Sequence, residues 1–138
     1  MNIKEKEEEL VDEFAIYDDW MDKYEYIIEL GKDLPIIDDS LKVEENIIKG
    51  CQSTVWLHAE KKDNKVYFTA DADAIIVKGI IALLIRVLNG EEPDTIMNNN
   101  MEFLKEIGLQ EHLSPTRSNG LLAMIKQMKF YALALKMK

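Results

Sequence analysis

Ser53-Thr54-Val55-Trp56-Leu57-His58-Ala59-Glu60 and, after a polar break, Lys65-Val66-Tyr67-Phe68-Thr69-Ala70 decide the fold. In the first run Val55, Leu57 and Ala59 alternate with Thr54, Trp56, His58 and Glu60; in the second Val66, Phe68 and Ala70 alternate with Lys65, Tyr67 and Thr69. A period of two sends successive side chains to opposite faces of a strand. The break holds Asp63-Asn64, residue types that suit the tight turn of a hairpin. The pattern predicts an antiparallel hairpin with one apolar face. Asn46 to Lys49 is expected to add a third, short strand, so that Cys51 sits in the bend between two strands.

Outward from the hairpin, the period becomes helical. Asp71 and Asp73 are read as caps for an apolar helix Ala74–Leu88, whose residues are apolar on nearly every face and so suit a central position against the sheet. Gly79 is expected to allow close packing there, and Asn89-Gly90 to end the helix. Upstream, Glu5 to Ile16 places Leu10, Val11, Phe14 and Ala15 on one stripe. A second helix, capped by Asp18 or Asp19, carries Trp20, Met21, Tyr24, Ile27 and Ile28, with Gly31 as its left-handed stop and Pro35 beyond it. Asp33 to Glu45 reads as a surface connection. Downstream, Thr95 to Ile107 is short helical material ending at Gly108. Ser114-Pro115 then opens a long final helix with Leu121, Leu122, Met124, Ile125, Met128 and Leu133, ending in lysines. No repeat or linker divides the chain, so residues 1–138 are expected to form one α+β domain: an N-terminal helix pair, a small antiparallel sheet of about three strands and a long C-terminal helix.

Composition narrows the function classes. The chain has 138 residues, 47% of them hydrophobic, which is enough to bury a core. Its formal charge is -9, a balance that disfavours phosphate backbones and anionic lipid; neither nucleic acid nor membrane is an expected partner. The N-terminus lacks the apolar run of a signal peptide, and the longest apolar stretch is interrupted by Lys78 and Arg86. With a single cysteine, this points to a reducing, cytoplasmic setting.

Few residues are candidates for chemistry. Cys51, His58 and His112 show no metal-ligand spacing, and no metal site is expected. No G-x-S-x-G elbow, Walker or Rossmann fingerprint is present. That leaves Cys51, which has two readings. Free cysteine is often a packed small hydrophobe. Here, however, Gly50 permits an unusual backbone angle, Lys49 adds a positive charge that would favour thiolate, and Gln52 and Ser53 bring hydrogen-bonding groups near the sulfur. On these residues alone, inert and reactive stand level.

A resemblance breaks the tie. Gly50-Cys51-Gln52-Ser53-Thr54-Val55-Trp56-Leu57 resembles the cysteine segment of the SufE family of sulfur-acceptor proteins. Asp71-Ala72-Asp73-Ala74-Ile75-Ile76-Val77-Lys78-Gly79 and Leu113-Ser114-Pro115-Thr116-Arg117-Ser118-Asn119-Gly120-Leu121 are similar to the same family in the same order, as is Tyr24-Glu25-Tyr26-Ile27-Ile28-Glu29-Leu30-Gly31. The resemblance implies the α+β fold shared with IscU-type scaffolds, without their additional ligand cysteines. It implies a partner protein of a cysteine desulfurase (SufS- or CsdA-like) that takes persulfide sulfur onto Cys51, stimulates the desulfurase and passes sulfur to the SufBCD scaffold. Gly50, Gln52 and Ser53 would support the loop. Asp73 and Arg117 would orient it or contact the partner, or else serve as an N-cap and a structural ion pair; His112, just before the Ser-Pro turn, would contact the partner or make a structural hydrogen bond. Pyridoxal phosphate would stay with the desulfurase, leaving no bound cofactor here, and catalysis proper would belong to that enzyme. The competing class is a thiol-based redox sensor or a non-catalytic interaction module.

Overall fold

The structure is a computed structural model and describes all 138 residues. Two helices, α1 (Ile3–Ala15) and α2 (Trp20–Leu30), open the chain. Asn2 and Glu5 close a reciprocal capping box on α1, and the Asp19 carboxylate accepts from the Asp22 N–H to cap α2. Leu10, Phe14, Ile27 and Leu30 face the core, whereas Met21 is exposed. Gly31 also departs from expectation. Its φ of -63° is ordinary right-handed helix, and the chain runs on through a 3₁₀ turn, Gly31–Asp33. The glycine is needed for closeness instead: a Cβ on it would lie 3.1 Å from the backbone nitrogen of Gly79.

Strands β1 (Val55–Lys62) and β2 (Lys65–Ala72) pair antiparallel in continuous register from Val55 opposite Ala72 to Lys62 opposite Lys65. Asp63 and Asn64 take φ of 52° and 62°, the left-handed turn this hairpin requires. Val55, Leu57, Ala59, Val66, Phe68 and Ala70 form the buried face. The sheet has two strands rather than three. The expected third strand contributes a single bridge, Ile47 to Trp56, because a 3₁₀ turn (Glu44–Asn46) precedes it and the Gly50 turn follows at once.

Helix α3 (Ile75–Leu88) is the central element, with Gly79 pressed so tightly on α2 that a Cβ would come within 2.1 Å of the Ile27 carbonyl. Neither aspartate caps it. Its N-cap is Ala74 without a side-chain bond, Asp73 is committed to Thr54, and Asp71 pairs with Lys42 at 2.7 Å and Lys78 at 3.5 Å. Short helices α4 (Pro93–Asn98), α5 (Phe103–Ile107) and α6 (Leu109–His112) follow, with Gly108 left-handed at φ 81° between the last two. Helix α7 (Pro115–Lys136) starts as its sequence dictates, with Ser114 accepting from the Arg117 N–H and Pro115 in the first turn. It buries Leu121, Met124, Met128, Ala132 and Leu135, while Leu122 and Leu133 are exposed.

Candidate functional site

The thiol sits in a loop, Lys49–Thr54, whose two stems are tied down. The Ile48 N–H donates to the Val55 carbonyl at 2.8 Å. On the other side, Thr54 N–H donates to Asp73 Oδ1 at 3.1 Å and Asp73 N–H donates back to the Thr54 carbonyl at 3.2 Å. Between the stems Gly50 turns the chain at φ 95°, a region other residues rarely occupy, and lies so near α7 that a Cβ would sit 3.2 Å from that of Ala123. The turn aims Cys51 inward. Its Sγ–H donates to the Gly120 carbonyl at 3.6 Å, and a Cβ on Gly120 would stand in ordinary contact with the sulfur, also at 3.6 Å.

Three elements enclose a cavity of about 110 Å³ around this thiol. The loop supplies Cys51, Gln52 and Ser53; α3 supplies Val77 and Ile80; α7 supplies Thr116, Arg117, Gly120 and Met124. Cys51 is half-buried. Burial pushes its thiol above the usual range, because a thiolate there would lose water without gaining a counter-charge. Lys49, expected to favour thiolate, is exposed and supplies no such effect. The free protein therefore holds Cys51 as a neutral thiol at neutral pH.

The remaining predicted residues separate. Asp73 does not line the cavity but holds the loop stem. Arg117 stands at the rim, where its Nη1 donates to the Tyr24 hydroxyl at 3.2 Å and its guanidinium lies over the same ring, linking α7 to α2. His112 lies apart: its Nδ1 is 2.8 Å from the Gly108 carbonyl and its ring stacks on Trp20 at 4.4 Å, a structural arrangement outside the cavity. Sequence reasoning missed Val77, Ile80, Thr116, Gly120 and Met124 as walls. A signal for four of them existed, since Val77, Thr116 and Gly120 fall in the motif segments and Ile80 directly follows one. Segments far apart in the chain converge on one thiol.

The sequence profile of SufE, an Fe-S metabolism associated domain, matches residues 8–132. The chain belongs to the SufE family. It is 39% identical to an uncharacterized SufE-like protein of Rhizobium meliloti (strain 1021) over 127 residues, covering 88% of this chain and 91% of the relative. A SufE-like protein of Synechocystis sp. is 36% identical over 128 residues, covering 93% and 80%. SufE-like protein 1, chloroplastic/mitochondrial, of Arabidopsis thaliana is 38% identical over 134 residues, which is 96% of this chain but 36% of the plant protein. Among solved structures, the solution structure of a hypothetical protein from Thermus thermophilus superposes with a TM-score of 0.80 at 21% identity, covering 96% of this chain and 97% of that one. That likeness speaks for the fold. The family ties this SufE domain to Fe–S metabolism, and no helix in it is long and apolar enough to cross a membrane.

Proposed function

We propose that this SufE-family protein is a sulfur acceptor and carrier, taking persulfide sulfur from a cysteine desulfurase onto Cys51 and delivering it to the SufBCD scaffold. The observation that carries the reading is the chain's sole thiol, turned into a small, mostly apolar cavity and held neutral there. The space is well above the roughly 10–15 Å³ that one water needs, so a second sulfur atom fits beside the first. A sulfane sulfur in open solution is lost to any thiol reductant, and the cavity shelters it between donor and acceptor.

The step resembles thiol–disulfide exchange. The Cys51 thiolate attacks the outer sulfur of the desulfurase persulfide, a new S–S bond forms, the donor's S–S bond breaks and its cysteine leaves as thiolate. One S–S bond breaks as one forms, and a thiolate on the donor replaces the thiolate on Cys51, so no external oxidant is consumed. Because burial disfavours the thiolate, reaction requires the loop to swing Cys51 out toward the docked enzyme. Gly50 supplies the pivot, Gln52 and Ser53 flank the sulfur, Asp73 holds the stem, and Arg117 and Tyr24 form a rim a partner would meet. Pyridoxal phosphate belongs to the desulfurase, and this chain works as its accessory in the cytoplasm.

The test is to incubate the protein with desulfurase and cysteine and weigh the Cys51 peptide. One added sulfur atom is expected, absent in Cys51→Ser together with the stimulation of desulfurase turnover. Sulfenic acid or a mixed disulfide under peroxide, with no sulfur uptake, would make the thiol a redox sensor instead.

A further inference from the structure

The long helix α7 is apolar on both sides. Its inner side fills the core, and on the opposite side Leu122, Phe130, Leu133 and Met137 follow one another at helical spacing in solvent. Phe130 is 62% exposed and Leu122 53%, so more than half of each residue faces water. Single exposed apolar residues are ordinary, but a row along one helix face marks a contact surface. Lys126 and Lys129 lie within this row, and neither forms an ion pair within the molecule. Between Ser114 and Lys138 there is no acidic residue, although the chain as a whole carries -9.

We infer that this face is a second docking surface, for the protein that takes the sulfur next, and that the surface it meets there has an apolar centre rimmed by carboxylates. The inference rests on the proposed carrier function. Charge selects the occupant. Unpaired lysines beside an apolar row match an acidic-rimmed apolar patch. A second copy using its own α7 would set lysine against lysine, and an anionic bilayer would meet the repulsion of an otherwise acidic chain. Orientation selects between donor and acceptor. The donor must cover the Cys51 mouth, lined by the inner side of α7 through Gly120 and Met124. The outer face points away from that mouth and stays free in the donor complex. An acceptor anchored there can bind while the donor still covers the mouth, and reaches Cys51 at that mouth once the donor has left.

Purified SufBCD scaffold and purified desulfurase are titrated separately with the wild-type protein, with Phe130→Ser/Leu133→Ser and with Lys126→Glu/Lys129→Glu. Both changes lie on the surface, and circular dichroism checks that each variant is folded. Scaffold affinity is expected to fall about tenfold or more in each variant, and wild-type binding to weaken with salt. Desulfurase affinity and Cys51 persulfide loading are expected to stay at wild-type level. Unchanged scaffold affinity overturns the inference while persulfide loading still upholds the carrier reading. The inference also fails if the loss falls on the desulfurase, if wild type is a dimer that these variants split, or if the face binds phosphatidylserine vesicles in place of the scaffold.

Discussion

The hairpin and the loop that precedes it share a boundary at Thr54 and differ in nearly everything else. Along β1 and β2 each residue has a cross-strand partner, and six side chains on one face are sealed into the core. The Lys49–Thr54 loop has two tied stems, a left-handed glycine and one thiol hydrogen bond at its apex. Local opening free energy follows buried contacts and paired backbone, so the loop opens at far lower cost than the strands behind it. The contrast teaches how one loop can be both placed and free to move: the rigid part sets where the loop starts, and the sparse part lets its thiol turn, as the proposed transfer requires.

The strongest way to break the contrast is to loosen its rigid side. Phe68→Ala removes a fully buried ring and is expected to destabilise the fold by about 3–5 kcal/mol, read as a lower urea midpoint. A loss under about 1 kcal/mol would show that the hairpin face is not the anchor described. A smaller effect is expected from the flexible side. Asp73→Ala frees the Thr54 N–H and should cost about 1 kcal/mol or less, while Cys51 alkylation by iodoacetamide rises severalfold. Unchanged alkylation would mean that this stem does not restrain the thiol.

The least perturbing probe is pH. Burial raises the Cys51 pKa in the folded protein, so the native alkylation curve should lie at higher pH than the curve measured in urea. Superimposed curves would contradict the shielding. The sign for stability follows. The protonated thiol's contribution is fully present below the unfolded pKa and is lost as pH rises through the folded one. Wild type should therefore lose stability on the alkaline side, and Cys51→Ser should not share that loss.

Much of this was legible because it was local. Alternation located both strands, Asp63-Asn64 their turn, and Gly108 and Ser114-Pro115 the helix ends, each from residues adjacent in sequence. The failures came where a side chain is used at long range. Asp73 looked like a helix cap, but the carboxylate is taken by Thr54 across the start of the sheet. Gly31 looked like a left-handed stop, yet it is there because α3 passes against it. Lys49 looked like a charge beside the thiol, although it points to solvent. The third strand failed for a local reason the alternation hid, a turn at each end of a segment too short to pair. At the candidate site, Val77, Thr116 and Gly120 lie in the motif segments and Ile80 directly follows one, but nothing in the residue types marks them as walls, and Met124 looks like any other core residue until three elements close around Cys51.

Gly120 carries one more consequence. It lies inside α7, where glycine in place of alanine gives up about 1 kcal/mol of helix stability. An alanine would not clash with the bare thiol, since its Cβ would stand 3.6 Å from Cys51 Sγ, ordinary contact. It would take up part of the cavity that, on the proposed carrier reading, receives the second sulfur. If the proposed carrier role holds, a population screened only for thermal robustness would drift toward alanine at this position and lose sulfur uptake with no sign of damage to the fold.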